Sequence, residues 1–255
     1  MVDLSRLTEE EKLFCARVED MIARCEKKYT PQFTHFLDER QALIARQVLA
    51  RSGWQDHLFY GGYPDAERTL LGVFPPYSEP DEAAFPLQPV TVTFRGADNL
   101  SHRDFLGALM GLQLKRETVG DILVEQGRAV IFFTRTVAPL VLSELTKVGS
   151  AGVKLSDAPL TELPAPREMQ SISGTVSSMR LDCVASLVTK LSREKAAQLI
   201  RAGLVQLDFV PCQQVDRTVK EGDRLSIRGY GKYIVGGDDG LSKKGRIRLT
   251  VQKYT

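Results

Sequence analysis

No apolar run in this 255-residue chain approaches the roughly 20 residues needed to span a bilayer; stretches such as "LVLSEL" and "AVIFF" fall far short. The first residues, "MVDLSRLTEEEKLF", are acidic where a secretory leader would be basic and then apolar. A cytoplasmic location with no membrane partner is the expectation. Cysteine is scarce: Cys15, Cys25, Cys183 and Cys212 form no C-x-x-C pair, and His35, His57 and His102 lie far from them in sequence. That spacing argues against a zinc site built from sequence-local ligands and for reduced, partly buried thiols. Gly61-Gly62 has neither the Lys-Ser/Thr of a phosphate loop nor G-x-G-x-x-G spacing, so it reads as a turn. No Gly-rich loop follows a strand, and no Ser/His/Asp or paired-carboxylate arrangement stands out. His102 and Asp104 sit at a helix start, where capping accounts for them. No catalytic residue, cofactor, metal ligand or small-molecule substrate is assigned.

What remains is an ordinary globular composition, 43% hydrophobic and 26% charged, with a length that suits two or three small domains. The net charge of +2 conceals an asymmetry. Residues 179–255 carry 15 Lys and Arg against 8 Asp and Glu, leaving 19 against 24 in residues 1–178. A basic final third on an acidic body suggests a polyanion-binding module and a carrier.

Along the chain, "TEEE" from Thr8 to Glu11 has capping-box spacing and opens a helix with Phe14, Val18, Met21, Ile22 and Cys25 on one face. A second helix runs from about Asp38 to Gly53, and "HLFYGGYPDAERTLLGVFPP" reads as two strands about a turn. Residues 75–89 hold five of the twelve prolines and read as a linker. The segment after it orders its elements βαββαβ, the ferredoxin-like plan shared by RNA-recognition motifs. Its strand "RAVIFFT" does not match the base-stacking string of those motifs, and Phe132 and Phe133 must point to opposite faces. A further loose stretch, "DAPLTELPAPREMQSIS", leads into the basic third.

There, "SREKAAQLIRAG" places Ala196, Leu199, Ile200 and Gly203 on one helical stripe. Ser192 is the N-cap and Gly203 the left-handed residue past the end. Lys195, Gln198 and Arg201 fall on the opposite face with Arg193 at its edge, and Glu194 dilutes it. The preceding "RLDCVASLVTK" is a partner helix burying Leu181, Val184, Leu187 and Val188, with Arg180 and Lys190 near its ends. A tight turn at Leu191–Ser192 makes the two a helix hairpin. In "GRIRLTVQKY", Ile247, Leu249 and Val251 alternate with outward Arg246, Arg248 and Thr250.

The landmarks R-L-D, S-R-x-x-A-x-x-L-I-x-x-G-x-V and K-x-G-D, in order over about fifty residues, resemble an S4 RNA-binding domain. That resemblance implies RNA contacts at Arg180, Lys190, Ser192, Arg193, Lys195, Gln198 and Arg201, with basic strand and loop residues Arg228 and Lys232 beside them. Members often have N-G-K in the turn where this chain has "DFVPC". "NLSHRDFLGALMGLQLKRETVGDILV", "KVGSAGVKL" and "RGYGKY" are similar to the YlmH-type bacterial S4 proteins. The similarity spans most of residues 36–235.

Membership implies a protein of the α/β (α+β) class with three domains: an N-terminal α/β domain at 1–80, an RRM-like domain at 88–165 and an S4 domain at 179–255. It implies a non-enzymatic factor that binds structured RNA, ribosomal RNA or tRNA, on the large ribosomal subunit, in translation quality control. Two rivals stand beside that expectation. An RNA-modifying enzyme such as a pseudouridine synthase needs a catalytic Asp, often in R-L-D, but the only R-L-D here opens the S4 helix. A cell-division adaptor tethered by RNA would use the acidic body as its working surface and tolerate loss of the basic helix faces.

Overall fold

The computed structural model describes residues 7–64, 66–76, 78–160, 162–164, 169–242 and 245–254. The chain divides into two compact units, Met1–Pro166 and Arg167–Thr255.

In the first unit, Thr8 caps α1 (Glu9–Lys28). Its hydroxyl accepts from the Glu11 N–H at 3.2 Å, and the Glu11 carboxylate accepts from the Thr8 N–H at 2.9 Å. The stripe Phe14, Val18, Met21, Ile22 and Cys25 is buried, as the spacing predicts, against Ile44, Ala45, Val48 and Leu49 of α2 (Glu39–Ser52). Both helices pack on an antiparallel sheet ordered β1-β3-β2, built from β1 (Gln32–Phe33), β2 (His57–Tyr60) and β3 (Leu70–Val73).

The ferredoxin-like part follows as β4 (Leu87–Thr93), α3 (His102–Gly111), β5 (Val119–Glu125), β6 (Arg128–Thr134) and α4 (Ala138–Glu144). A small hairpin of β7 (Lys147–Val148) and β8 (Ala151–Gly152) precedes β9 (Lys154–Ser156). The sheet order β5-β6-β4-β9, antiparallel throughout, is the expected βαββαβ topology. At the start of α3 the Asp104 carboxylate accepts from the Ser101 N–H at 2.8 Å and hydroxyl at 2.6 Å, the capping arrangement read from "SHRD".

The proline-rich stretch departs from its expected looseness. Asp81 caps a short turn at Glu82–Ala84, and β4 begins at Leu87 and runs through Pro89. Pro89 lies opposite Phe132 of β6, while β9 covers only Thr91–Thr93 on the other edge. The missing N–H therefore falls where no neighbouring strand needs it.

Nor does this stretch separate two bodies. Phe132 and Phe133 do point to opposite faces, and both are buried. Phe133 joins Val90, Val92 and Ile131 under α3 and α4. Phe132 and Val130 face the other way, into a core with Phe36, Leu70, Phe74 and Phe85, and the Tyr63 ring stacks on Phe132 at 5.2 Å. The expected 1–80 and 88–165 segments thus share one core. A polar seam reinforces it. Buried Asp121 accepts from the Tyr63 hydroxyl at 2.8 Å and the Glu67 and Arg68 N–H groups at 2.7 and 3.1 Å. Arg68 donates to the carbonyls of Val119 and Phe36, each at 3.1 Å. Arg116 donates to Val119 and Gly120. Burial first, then the neighbouring Arg68 charge, push Arg116 down to about 10.

The second unit opens earlier than expected. Residues from Met169 to Val176, of which those up to Ser173 read as loose, form β10, paired over its whole length with β15 (Ile247–Tyr254). Between them come α5 (Leu181–Thr189), α6 (Arg193–Arg201), β11 (Val205–Leu207), β12 (Val210–Pro211), β13 (Arg224–Ile227) and β14 (Gly231–Leu241). The sheet order is β10-β15-β14-β13-β11-β12. One face, carrying Leu225, Ile227, Tyr233, Val235, Leu249 and Val251, buries α5 and α6 through Leu181, Val184, Val188, Ala196 and Ile200. The strand at β10 was hidden because Ser171, Ser173 and Thr175 supply no apolar alternation. They lie opposite Gln252, Thr250 and Arg248 on the polar face, where Ser171 donates to Gln252 at 3.0 Å.

Candidate nucleic-acid interface

The helix hairpin is set by local chemistry at both turns. The Ser192 hydroxyl accepts from the Lys195 N–H at 3.4 Å, which starts α6. Gly203 follows its end at φ +70°, a conformation that costs glycine little. Between the helices, Lys190 itself takes a left-handed backbone at φ +57°. The turn around it is held by the Ser186 hydroxyl donating to the Leu191 carbonyl at 2.7 Å and Thr189 donating to the Ala185 carbonyl at 2.6 Å. With Ala196, Ala197 and Ile200 buried, α6 presents Arg193, Lys195, Gln198 and Arg201 to solvent.

Asp182 organises the arginines. Its side chain is only 4% exposed, yet it accepts from Arg193 Nε at 2.7 Å and from Arg180 Nε and Nη2 at 3.2 and 3.3 Å. Burial alone would raise this carboxyl, but hydrogen bonds from the Arg180, Arg193 and Cys183 side chains, with the Arg193 charge, hold it below the usual carboxylate range. The R-L-D and S-R motifs therefore meet through one carboxylate. Both guanidiniums remain well exposed, at 39% and 54%, so each can turn donors outward while its Nε is anchored. Sequence reasoning makes Asp182 a helix-opening residue and no more. The two motifs lie eleven residues apart and only the hairpin brings them together.

The remaining positions differ in setting. Arg201 pairs with Glu194 at 3.3 Å on the same exposed face, a contact worth little in water and one that a phosphate can displace. Lys190 and Ser192 flank the turn. Arg228 and Lys232 are exposed; Arg228 lies in the turn after β13, and strand alternation in β14 puts Lys232 on the face opposite Tyr233, away from α5 and α6. The structure thus gathers seven of the nine predicted residues on the hairpin and sets two apart. It also adds one that the sequence did not flag. The irregular segment before β13 runs beside the start of α5, with the Leu181 and Asp182 N–H groups donating to the Arg217 and Val215 carbonyls at 2.8 and 3.1 Å. Exposed Arg217 is thereby brought beside Arg180, and no periodicity marked it.

Chemically, this surface is a cluster of fixed cations around a helix N-terminus. It suits phosphates arranged by RNA shape more than base edges. In the four-stranded sheet of the first unit, the face opposite α3 and α4 is filled by Phe132 and the residues packed on it.

Residues 80–162 match a family model described as a putative RNA-binding domain in YlmH, and residues 179–225 match the S4 domain. The chain is 35% identical over 232 residues to the ribosome-associated protein quality control protein P2 of Bacillus subtilis (strain 168), covering 89% of each. A solved structure of cell division protein ylmH from Streptococcus pneumoniae shares the fold with a TM-score of 0.55 at 21% identity, over 65% of this chain and 99% of that one.

Proposed function

The chain belongs to the YlmH-type family of S4-domain RNA-binding proteins, and from that premise we propose that it binds structured ribosomal RNA or tRNA on the large ribosomal subunit in the cytoplasm, in translation quality control, without catalysing a reaction. The observation that carries this reading is the Asp182 clamp. It holds Arg180 and Arg193 side by side at the open face of the helix hairpin, with Lys195, Gln198 and Arg201 continuing the surface along α6. The printed name of the Bacillus subtilis relative supports the ribosomal setting. Arg228, in the turn after β13, and Lys232, on the sheet's other face, would serve a second strip of RNA.

The test is sedimentation with purified ribosomal subunits across a salt series, together with crosslinking and sequencing of bound RNA in cells. Substituting Lys195 and Arg201 by Ala removes two exposed cations and leaves the Asp182 clamp intact. The expected result is weaker binding and a smaller salt slope, by about 0.7–0.9 for each phosphate no longer neutralised. Unchanged affinity and slope in the folded double variant would remove the helix face from the RNA-binding surface. RNA recovery at background from the wild-type chain would leave the cell-division adaptor as the better reading.

A further inference from the structure

The hairpin between β11 and β12 has a two-residue loop, because Leu207 pairs with Val210 and Gln206 with Pro211. Both loop residues, Asp208 at φ +48° and Phe209 at φ +65°, are left-handed. That is the pattern of a type I′ turn, where Asn-Gly or Asp-Gly is favoured and a bulky second residue is disfavoured. Asp208 has a local reason to be there: its carboxylate accepts from the Arg224 N–H at 2.9 Å and its own N–H donates to the Arg224 carbonyl at 2.8 Å. Phe209 has none of that kind. It is absent from the residues that build or flank the core of this unit. Its half-buried ring lies under the Arg224 guanidinium, 5.7 Å from the ring centroid, and exposed Val210 and Pro211 follow it.

Strain that packing does not repay points to a role outside the fold. We propose that Phe209, with Arg224, is a stacking platform for an unpaired RNA base. The inference rests on the RNA-binding reading of the same unit and extends it from phosphate contact to base contact. An aromatic ring with a guanidinium against it is the arrangement that takes a nucleobase regardless of sequence. The tip is too small to be the core of a protein interface, which needs about 800 Å² on each partner. Residues 202–216 around it hold no Lys or Arg, so Arg224 is the cation at the tip, in a unit whose residues 179–255 carry 15 Lys and Arg against 8 Asp and Glu.

The experiment compares wild type, F209A, F209G and F209W against an end-labelled RNA stem–loop with an unpaired loop and a blunt RNA duplex of equal length. F209A and F209G should weaken stem–loop binding roughly tenfold, with duplex binding and the salt slope unchanged, since stacking releases no counterions. F209W should retain binding, with its indole fluorescence quenched on the stem–loop. F209G should also raise the melting temperature by relieving the turn, which separates lost binding from lost folding. F209G with wild-type stem–loop affinity, in a protein whose K195A/R201A variant has lost binding, overturns the platform and leaves the RNA-binding reading standing. F209G with a lowered melting temperature assigns the ring a packing role and equally overturns it. Wild type that binds neither RNA removes both readings.

Discussion

Asp182 shows how one side chain can serve stability and binding together. A carboxylate taken out of water is costly unless its oxygens are satisfied, and here two arginines and a backbone N–H satisfy them. Replacing it by Asn keeps the size and removes the charge. D182N should lose about 1–2 kcal/mol of stability in denaturant titration, at the low end for charged hydrogen bonds because both arginines are solvated. It should also weaken RNA binding through Arg180 and Arg193, which an independent structural role elsewhere in the unit would not do. The pH dependence has a definite sign. The folded carboxyl titrates below its unfolded value of about 4, so its contribution is complete above that value and is lost as pH falls through the folded one. Acid unfolding of D182N should lack that component.

At the level of elements, the hairpin depends on its ends more than on helix length. Each of α5 and α6 is nine residues, too short to be stable alone. Their stability comes from the stripe pressed on the sheet and from the turns that aim them. Gly203 makes the second of these turns at φ +70°, and an added Cβ would come within 3.4 Å of the Gln213 side chain. The backbone conformation therefore dominates the cost of G203A, expected at about 1 kcal/mol or somewhat more by urea titration. Gly236 is a different case: a Cβ there would lie 2.2 Å from the Thr250 backbone oxygen, so β14 and β15 would have to part.

Across the molecule, the chain forms two compact units, and the candidate interface lies on the second. The first spends its sheet on its own interior: one face meets α3 and α4, the other meets the α/β part that precedes it. Phe132, fully buried and stacked on Tyr63, is the clearest marker of that second interface. F132A should destabilise the first unit by about 3–5 kcal/mol. Calorimetry should show the transition of that unit moving down while the other stays in place. RNA affinity measured below both transitions should match wild type, because the sheet face that Phe132 fills has no access to a ligand.

The sequence by itself determined the class, the helices and most of the candidate site. Amphipathic stripes such as Phe14 to Cys25 and Ala196 to Ile200 follow from a local period, and caps such as Thr8, Asp38, Ser192 and Gly203 follow from side-chain and backbone chemistry within a few residues. The S4 landmarks are local in the same sense. Tertiary structure decided what depends on distant partners. It made Met169–Val176 a strand by supplying β15, and let Pro89 enter a strand by leaving one edge uncovered. It joined the first two segments through Phe132, gave Asp182 its arginines, turned Lys232 to the far face, and set Phe209 in a strained turn. The physical reason is common to all of these. Propensity and periodicity act over one or two turns of chain, whereas strand pairing, burial of a charge and the cost of a backbone angle are set by groups that only the folded chain brings within reach.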